Sequence, residues 1–443
     1  MNEREQHARR IVERLVDSGF RAVFAGGCVR DRILGVESKD YDIATDARPE
    51  VVQKMFDRTV AVGAKFGVIC VALDEGRDHE AVATFRADAE YTDGRRPSSV
   101  RFGAIEEDAI RRDFTINGMF YDPIADRLID LVDGMRDLRA GVIRAIGNPD
   151  ERFEEDHLRI LRAARFAARF NFTIDAATLA AMKRAAPKIV DIAAERIGDE
   201  IVRMMTEGAA ARAMDLMMDS GLMQIILPEV VQMRGCEQQA NFHPEGDVYT
   251  HTRIGVAMLP AGCTETVAFG ILLHDIAKPK SRAVVGEKIT FYGHTDDGAV
   301  MAANMLAPRL KRSRAVQERV AYLVKNHLKL CMAPRMRPST LKRMLAEEGF
   351  DELMDVAFMD AMASSSDLGF WHFCRRAMTT MTPAEIRPPR LIGGEDLKQL
   401  GFTPGPRFKE ILKDVEDHQL DGALETREAA LEYVRAHYAA SAA

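Results

Sequence analysis

The chain has 443 residues, 47% of them apolar and 29% charged, with a formal net charge of −7. That length exceeds what a single hydrophobic core supports and predicts about three domains of ordinary globular composition. The N-terminus lacks the apolar core of a signal peptide, and no apolar run approaches a membrane span. The six cysteines (Cys28, Cys70, Cys236, Cys263, Cys331, Cys374) form no Cys-x-x-Cys pair, so a cytoplasmic protein with reduced thiols and no membrane partner is expected. A negative total argues against a nucleic-acid partner, but distribution matters more than the sum.

Residues 4–17 predict an amphipathic helix ending at Ser18-Gly19. Ala22 to Ala25 then read as a strand that breaks at Gly26-Gly27 and restarts as a helix over 29–34. Two glycines at such a turn let backbone approach a ligand closely, and the helix start behind them presents N–H groups to phosphate. Arg30 adds a cation able to grip phosphate oxygens in a bidentate way. A short strand follows in which Asp40 and Asp42 are two apart. Strand side chains alternate, so both carboxylates project from one face, as a pair of divalent metals needs for phosphoryl transfer. Taken singly, a Gly-Gly is a turn and an Asp-x-Asp a solvated face. Together, Gly-Gly-Cys-Val-Arg-Asp at 26–31 and Asp-Tyr-Asp-Ile-Ala-Thr at 40–45 resemble the nucleotidyltransferase superfamily that includes DNA polymerase beta. The wording is similar to that of class II tRNA nucleotidyltransferases and bacterial poly(A) polymerases.

Further strands are expected at 60–63, 68–73 and 81–86. The family pattern Glu-Val-Ala-Thr-Phe-Arg stands here as Glu80-Ala81-Val82-Ala83-Thr84-Phe85-Arg86, one residue longer. The resemblance implies a third catalytic carboxylate at Glu80, although a one-residue slip turns a strand side chain to the other face. Tyr91 to Pro97 resembles the family's flexible loop. In Arg111-Arg112-Asp113-Phe114-Thr115-Ile116-Asn117, Arg112 can grip a triphosphate. Asp113 and Asn117, four apart on an expected helix, can reach the same ribose. Residues 130–138 read as a strand and turn whose aspartates are structural. Beyond 146 the pattern is helical, and Asp156 and Arg159, three apart, share a predicted helix face. On residues alone they are an intrahelical ion pair. The resemblance implies a protein template whose side chains hydrogen-bond the edge of the incoming base, helped by Arg162, with Glu195-Arg196-Ile197 as scaffold.

A second constellation begins near 236: His251, the adjacent His274-Asp275, then His294, His327 and Asp360. This set resembles the metal-binding residues of HD phosphohydrolases, where a divalent ion activates water for phosphoester cleavage. The usual glycine of that motif is Ala277. His294 and His327 serve either a second metal or the substrate phosphate. Residues 301–345 carry eleven Lys/Arg against one acid, Glu318, which reads as a phosphate-backbone footprint or a solvated helix face. Arg159, Arg162, Arg165 and Arg169 form a second basic cluster.

The expected architecture is α+β. A polymerase beta-like mixed-sheet head (1–145) precedes an all-α neck and body (146–235), an HD domain (236–375) and a helical tail (376–443). The resemblance implies a template-independent enzyme adding CMP and AMP from CTP and ATP to tRNA 3′ ends. It also implies Mg²⁺ at Asp40 and Asp42, and triphosphate held by Gly26, Gly27, Arg30 and Arg112. An imidazole-rich HD site favours Mn²⁺, Co²⁺ or Ni²⁺. Poly(A) polymerases and enzymes limited to CC or to the terminal A share these motifs, and a chain working mainly as an HD phosphohydrolase is the alternative of another class. Oligomeric state is not legible.

Overall fold

The computed structural model describes residues 2–63, 67–72, 79–87, 101–241, 243–364 and 367–438. It divides into two compact units. The first runs to Val231 and includes the short segments Pro260–Gly262 and Pro308–Lys311; the second takes the remainder from Gln232 onward. No helix of the described residues is long and apolar enough to cross a membrane, and all six cysteines are free.

In the first unit, helix α1 (Glu3–Asp17) is capped by the Asn2 side chain and buries His7, Ala8, Ile11, Val12 and Leu15. That spacing of three and four builds one apolar stripe, which packs on strands β1 (Ala22–Ala25) and β2 (Asp42–Thr45). Helix α2 (Gly27–Ile33) leaves β1 at the glycine turn, and α3 (Pro49–Met55) follows β2. Next come β3 (Arg58–Gly63), β4 (Val68–Ala72), β5 (Glu80–Thr84) and the short pair β6 (Arg86–Ala87) and β7 (Arg101–Phe102). After α4 (Ile105–Ile110), strands β8 (Phe120–Asp122) and β9 (Arg127–Ile129) close the sheet. Among the described residues its order is β3-β4-β5-β2-β1-β8-β9. Strand β2 is antiparallel to β1, with Ala25 opposite Asp42, and parallel to β5. All four residues of β1 are buried, so the strand has no polar face. Each fully buried side chain such as Phe24 or Ile43 contributes roughly 1.5–3 kcal/mol.

Residues 134–140 differ from expectation. They form α5 (Gly134–Ala140), because the Asp130 carboxylate accepts from the Gly134 and Met135 amides and satisfies the first turn of a helix. Helices α6 (Pro149–Glu155), α7 (Leu158–Arg169), α8 (Ala176–Ala185), α9 (Ala194–Thr206) and α10 (Ala210–Ser220) follow, with the short helical segments Ala186–Asp191, Leu222–Ile226 and Pro228–Gln232. The loop expected at Tyr91 to Pro97 lies outside the described residues.

The second unit is helical apart from one antiparallel hairpin, Ala283–Val285 with Lys288–Thr290, where an all-α region was expected. Its central segment, Glu265–Leu273, is buried on every side from Val267 to Leu273 and packs against Val248–Ala257, Arg314–Asn326 and Phe350–Ala363. The C-terminal helices share a core of Leu397, Ile411, Val415, Ala430 and Val434. The basic stretch is largely spent internally. Six of its eleven cations pair with carboxylates: Arg309 with Glu229, Arg312 with Glu265, Arg314 with Glu318, Arg319 with Glu352, Lys325 with Asp296, and Arg343 with Asp417. Five of those acids lie outside residues 301–345, which is why composition alone made the stretch look unopposed.

Candidate active site and a second, imidazole-rich centre

A cavity of about 910 Å³ in the first unit is lined by Gly26, Gly27, Arg30, Asp40, Asp42, Arg112, Asp113, Asn117, Asp156, Arg159 and Arg162. Glu80 is absent from the lining. At the turn, Gly26 takes φ +71°, a conformation L side chains rarely adopt, and its amide donates to the Met119 carbonyl at 3.2 Å. A Cβ there would stand 2.8 Å from Nη1 of Arg112, so the glycine makes room for that guanidinium.

Arg112 reaches this place from behind α4. Its Nη2 donates to Asp108 at 2.9 Å, while Arg111 donates to the other oxygen at 2.8 Å. Asp108, 2% exposed, aims both arginines; the i, i+3 and i+4 spacing was the available signal for it. Arg30 is equally buried and fully engaged, donating to Asp31 at 2.7 and 2.9 Å and to Asn117 at 2.5 Å, with its guanidinium 4.5 Å over the Phe170 ring. Burial lowers its pKa, Asp31 opposing. Arg30 therefore shapes the cavity wall more than it offers free donors.

Asp113 and Asn117 meet, but not on an α-helix. Asp113 follows α4 in a loop and Asn117 ends the 3₁₀ turn Thr115–Asn117; the amide donates to the carboxylate at 3.0 Å. Arg162 of α7 donates to the other Asp113 oxygen through Nε at 2.8 Å and Nη2 at 2.7 Å. Burial works to raise the Asp113 carboxyl, yet Arg162 foremost, with Asn117, holds it at about 2. Glu200, 5% exposed, extends the network by accepting from Arg165 at 2.6 Å.

Asp156 and Arg159 do not share a helix face. The chain turns extended at Asp156 (φ −148°, ψ 103°), after α6 has ended and before α7 begins. One carboxylate oxygen accepts from the Leu158 amide at 3.1 Å and the other from Arg196 Nη2 at 3.0 Å. Arg159 is tied elsewhere, to the Arg152 and Arg111 carbonyls at 3.0 and 2.9 Å and to Glu155 at 2.5 Å. Arg196, expected as scaffold, thus stands at the Asp156 carboxylate and in the cavity wall.

Asp42 opens β2, and Asp40 precedes the strand with its side chain 81% exposed, 3.1 Å from Arg4. Although Asp42 faces the cavity, loss of hydration raises its carboxyl above the ordinary value; Arg112 opposes this and Asp40 adds to it. Two carboxylates two residues apart, both lining one cavity and open to solvent, are oxygen donors that fit a divalent cation.

The second centre lies wholly in the second unit. His251 Nε2 is 2.9 Å from Asp360 and 3.2 Å from His274 Nε2, and His274 Nε2 is 3.2 Å from Asp275. Nδ1 of His274, His294 and His327 each lies 2.7 Å from a backbone carbonyl. A carbonyl only accepts, so each Nδ1 carries a proton and Nε2 is the ring atom turned to the interior. Two groups of potential ligands result: His251, His274 and Asp360, and Asp275, His294 and His327. Asp275 Oδ1 and His294 Nε2 are buried with no hydrogen-bond partner among the described residues, as open coordination positions would be. Glu245, absent from the expected set, orients His251 through Nδ1 at 2.6 Å and His243 at 2.9 Å. Burial alone would lower His251, but Asp360 and Glu245 raise it to about 9; burial first and His274 next lower His327 to about 4.

Residues 22–144 match the Poly A polymerase head domain, 171–233 the probable RNA and SrmB-binding site of polymerase A, and 248–364 the HD domain. The CCA-adding enzyme of Levilactobacillus brevis is 31% identical over 427 residues, 96% of each chain. The chain belongs to the CCA-adding enzyme family. The Streptococcus gordonii CCA-adding enzyme is 32% identical, covering 95% of this chain and 94% of its own. The Bacillus stearothermophilus CCA-adding enzyme, solved in complex with CTP, superposes with TM-score 0.75 at 25% identity over 98% of this chain and 99% of that one. The Thermotoga maritima CCA-adding enzyme complexed with tRNA shares the fold, with TM-score 0.60 at 21% identity over 98% of this chain and 96% of its own. The α+β class with a mixed-sheet head and an HD domain holds for this member of the family.

Proposed function

We propose that this chain adds CMP and AMP to tRNA 3′ ends from CTP and ATP, without a nucleic-acid template, at the cavity of its first unit. The observation that carries this reading is the convergence of Asp42, Arg112, Asp113 and Asp156 on one cavity in a chain alignable along nearly its whole length with CCA-adding enzymes. Asp40 and Asp42 would hold Mg²⁺. Bound there, the ions would lower the pKa of the attacking 3′-hydroxyl and neutralise the leaving pyrophosphate. Arg112, aimed by Asp108 and given room by Gly26, would donate to the triphosphate. Asp113 and Asn117 would meet the ribose, with Arg162 and Arg30 fixing their orientation. Asp156 would accept from the base edge, so that protein replaces a template strand; Arg159 would hold the wall behind it.

The imidazole-rich centre supports a second, separate activity. Its buried ligand groups suit a transition metal and phosphoester hydrolysis.

The experiment is substitution at the carboxylates. Asp42→Ala should abolish nucleotide addition while tRNA binding, measured by filter retention, survives. Addition at near wild-type rate would overturn the assignment.

A further inference from the structure

Glu80 stands where a third metal carboxylate was expected, yet its surroundings are those of a different device. Strands β2 and β5 run parallel with Ile43 opposite Val82 and Ala44 opposite Ala83. Residues level with one another in a sheet point to the same face. Asp42 therefore shares its face with Ala81 and Ala83, and Glu80 belongs to the other face. There, 1% exposed, Glu80 accepts from Arg4 Nε at 2.8 Å and from the Tyr41 amide at 3.2 Å, with His7 Nδ1 at 3.8 Å. Arg4 carries its Nη2 to within 3.1 Å of Asp40 Oδ1. One guanidinium thus bridges a buried carboxylate and an exposed one, and Glu80 grips the backbone between Asp40 and Asp42.

We propose that Glu80 is a positioning residue, not a metal ligand: with Arg4 it forms a counter-charge relay that hands Asp40 to the metal. The proposal rests on the reading of Asp40 and Asp42 as the metal carboxylates. A cation arriving at Asp40 competes with Arg4 for the same oxygens. Glu80 retains Arg4 through Nε, so the guanidinium keeps a carboxylate partner when Asp40 turns to the ion. Without the Glu80 charge, Arg4 presses its claim on Asp40, and metal must displace a stronger competitor. A third ligand would behave otherwise, since its loss would remove coordination that no change at Arg4 restores.

The test is CTP binding to the full-length protein as a function of Mg²⁺ concentration, read by equilibrium filtration without tRNA. Glu80→Gln should raise the half-saturating Mg²⁺ about threefold to fivefold, the effect expected of one partly exposed ion pair, with full CTP occupancy still reached. Arg4→Met should lower the requirement, and Glu80→Gln/Arg4→Met should return to the Arg4→Met value. Arg4→Met also tests the relay alone should Glu80→Gln fail to fold, and an unchanged requirement there would overturn it. So would a Glu80→Gln protein that never reaches full occupancy and is not restored by Arg4→Met, which is the behaviour of a lost ligand. Asp42→Asn separates the two readings: if it binds CTP with the wild-type Mg²⁺ dependence, the metal assignment fails, whereas its loss beside an unaffected Glu80→Gln removes only the relay.

Discussion

Replacing Asp113 by Asn strikes the node that joins three elements around the cavity. The carboxylate accepts from Arg162 at 2.8 and 2.7 Å, from Asn117 at 3.0 Å and from the Phe114 amide at 2.8 Å. Its depression from 3.8 to about 2 converts to about 2 kcal/mol in favour of the charged form. Removing that charge also leaves Arg162 with Glu200, 3.9 Å away, as its nearest carboxylate. The total cost is then about 3 kcal/mol, within what breaking a buried pair produces. A unit of this size should lose about 5–10 °C in Tm, and CTP affinity should fall with it as Asn117 and Arg162 lose their register. The folded pKa lies below the unfolded one, so this stabilisation is complete above about pH 4 and is lost as pH falls towards 2. Urea unfolding followed by far-ultraviolet circular dichroism should show a wild-type advantage that is constant from pH 8 to pH 5 and narrows below about pH 4. A difference under about 0.5 kcal/mol at neutral pH, or one unchanged in acid, would refute the reasoning.

Gly26→Ala should weaken CTP and ATP binding at least about tenfold while the protein stays folded, because the new methyl meets Arg112 Nη1 at 2.8 Å; equilibrium dialysis measures it. Asp156→Ala should blur the choice among CTP, ATP, UTP and GTP, each lost base-edge bond being worth about 1–3 kcal/mol. Single-nucleotide incorporation rates would read this, and a uniform loss of rate with choice unchanged would reduce Asp156 to a structural cap. Arg196→Met should produce a milder form of the same loss of choice, since Arg196 holds one Asp156 oxygen at 3.0 Å. His274→Ala should remove metal-dependent phosphohydrolysis of 2′,3′-cyclic phosphate or 2′-nucleotide and leave nucleotide addition nearly intact; assays across Mn²⁺, Co²⁺, Ni²⁺ and Mg²⁺ would show it.

What was legible in the chain was local or periodic. The apolar strand, the glycine turn and the helix after it are written in consecutive residues, and α1 follows from its stripe of Ala8, Ile11, Val12 and Leu15. Spacing also brought Asp113 to Asn117, although a 3₁₀ turn does the work expected of an α-helix. Partners far apart in sequence were not readable. Glu200 acts on Arg165 and Arg196 on Asp156 across 35 and 40 residues, neighbours chosen by packing, whereas Asp108 stood at helical spacing from Arg111 and Arg112. Asp156 failed as a helix-face residue because the helix breaks beside it. For Glu80, strand register decides which face receives the carboxylate, and register is a property of two strands.

The most direct measurement supplies pure protein with tRNAs lacking A, CA or CCA, giving CTP and ATP singly and together. The account predicts C, C and A added in that order, each only where missing, with synthesis stopping at the completed end. A run of adenylates from ATP alone, or a product that ends at CC with both nucleotides present, would contradict it.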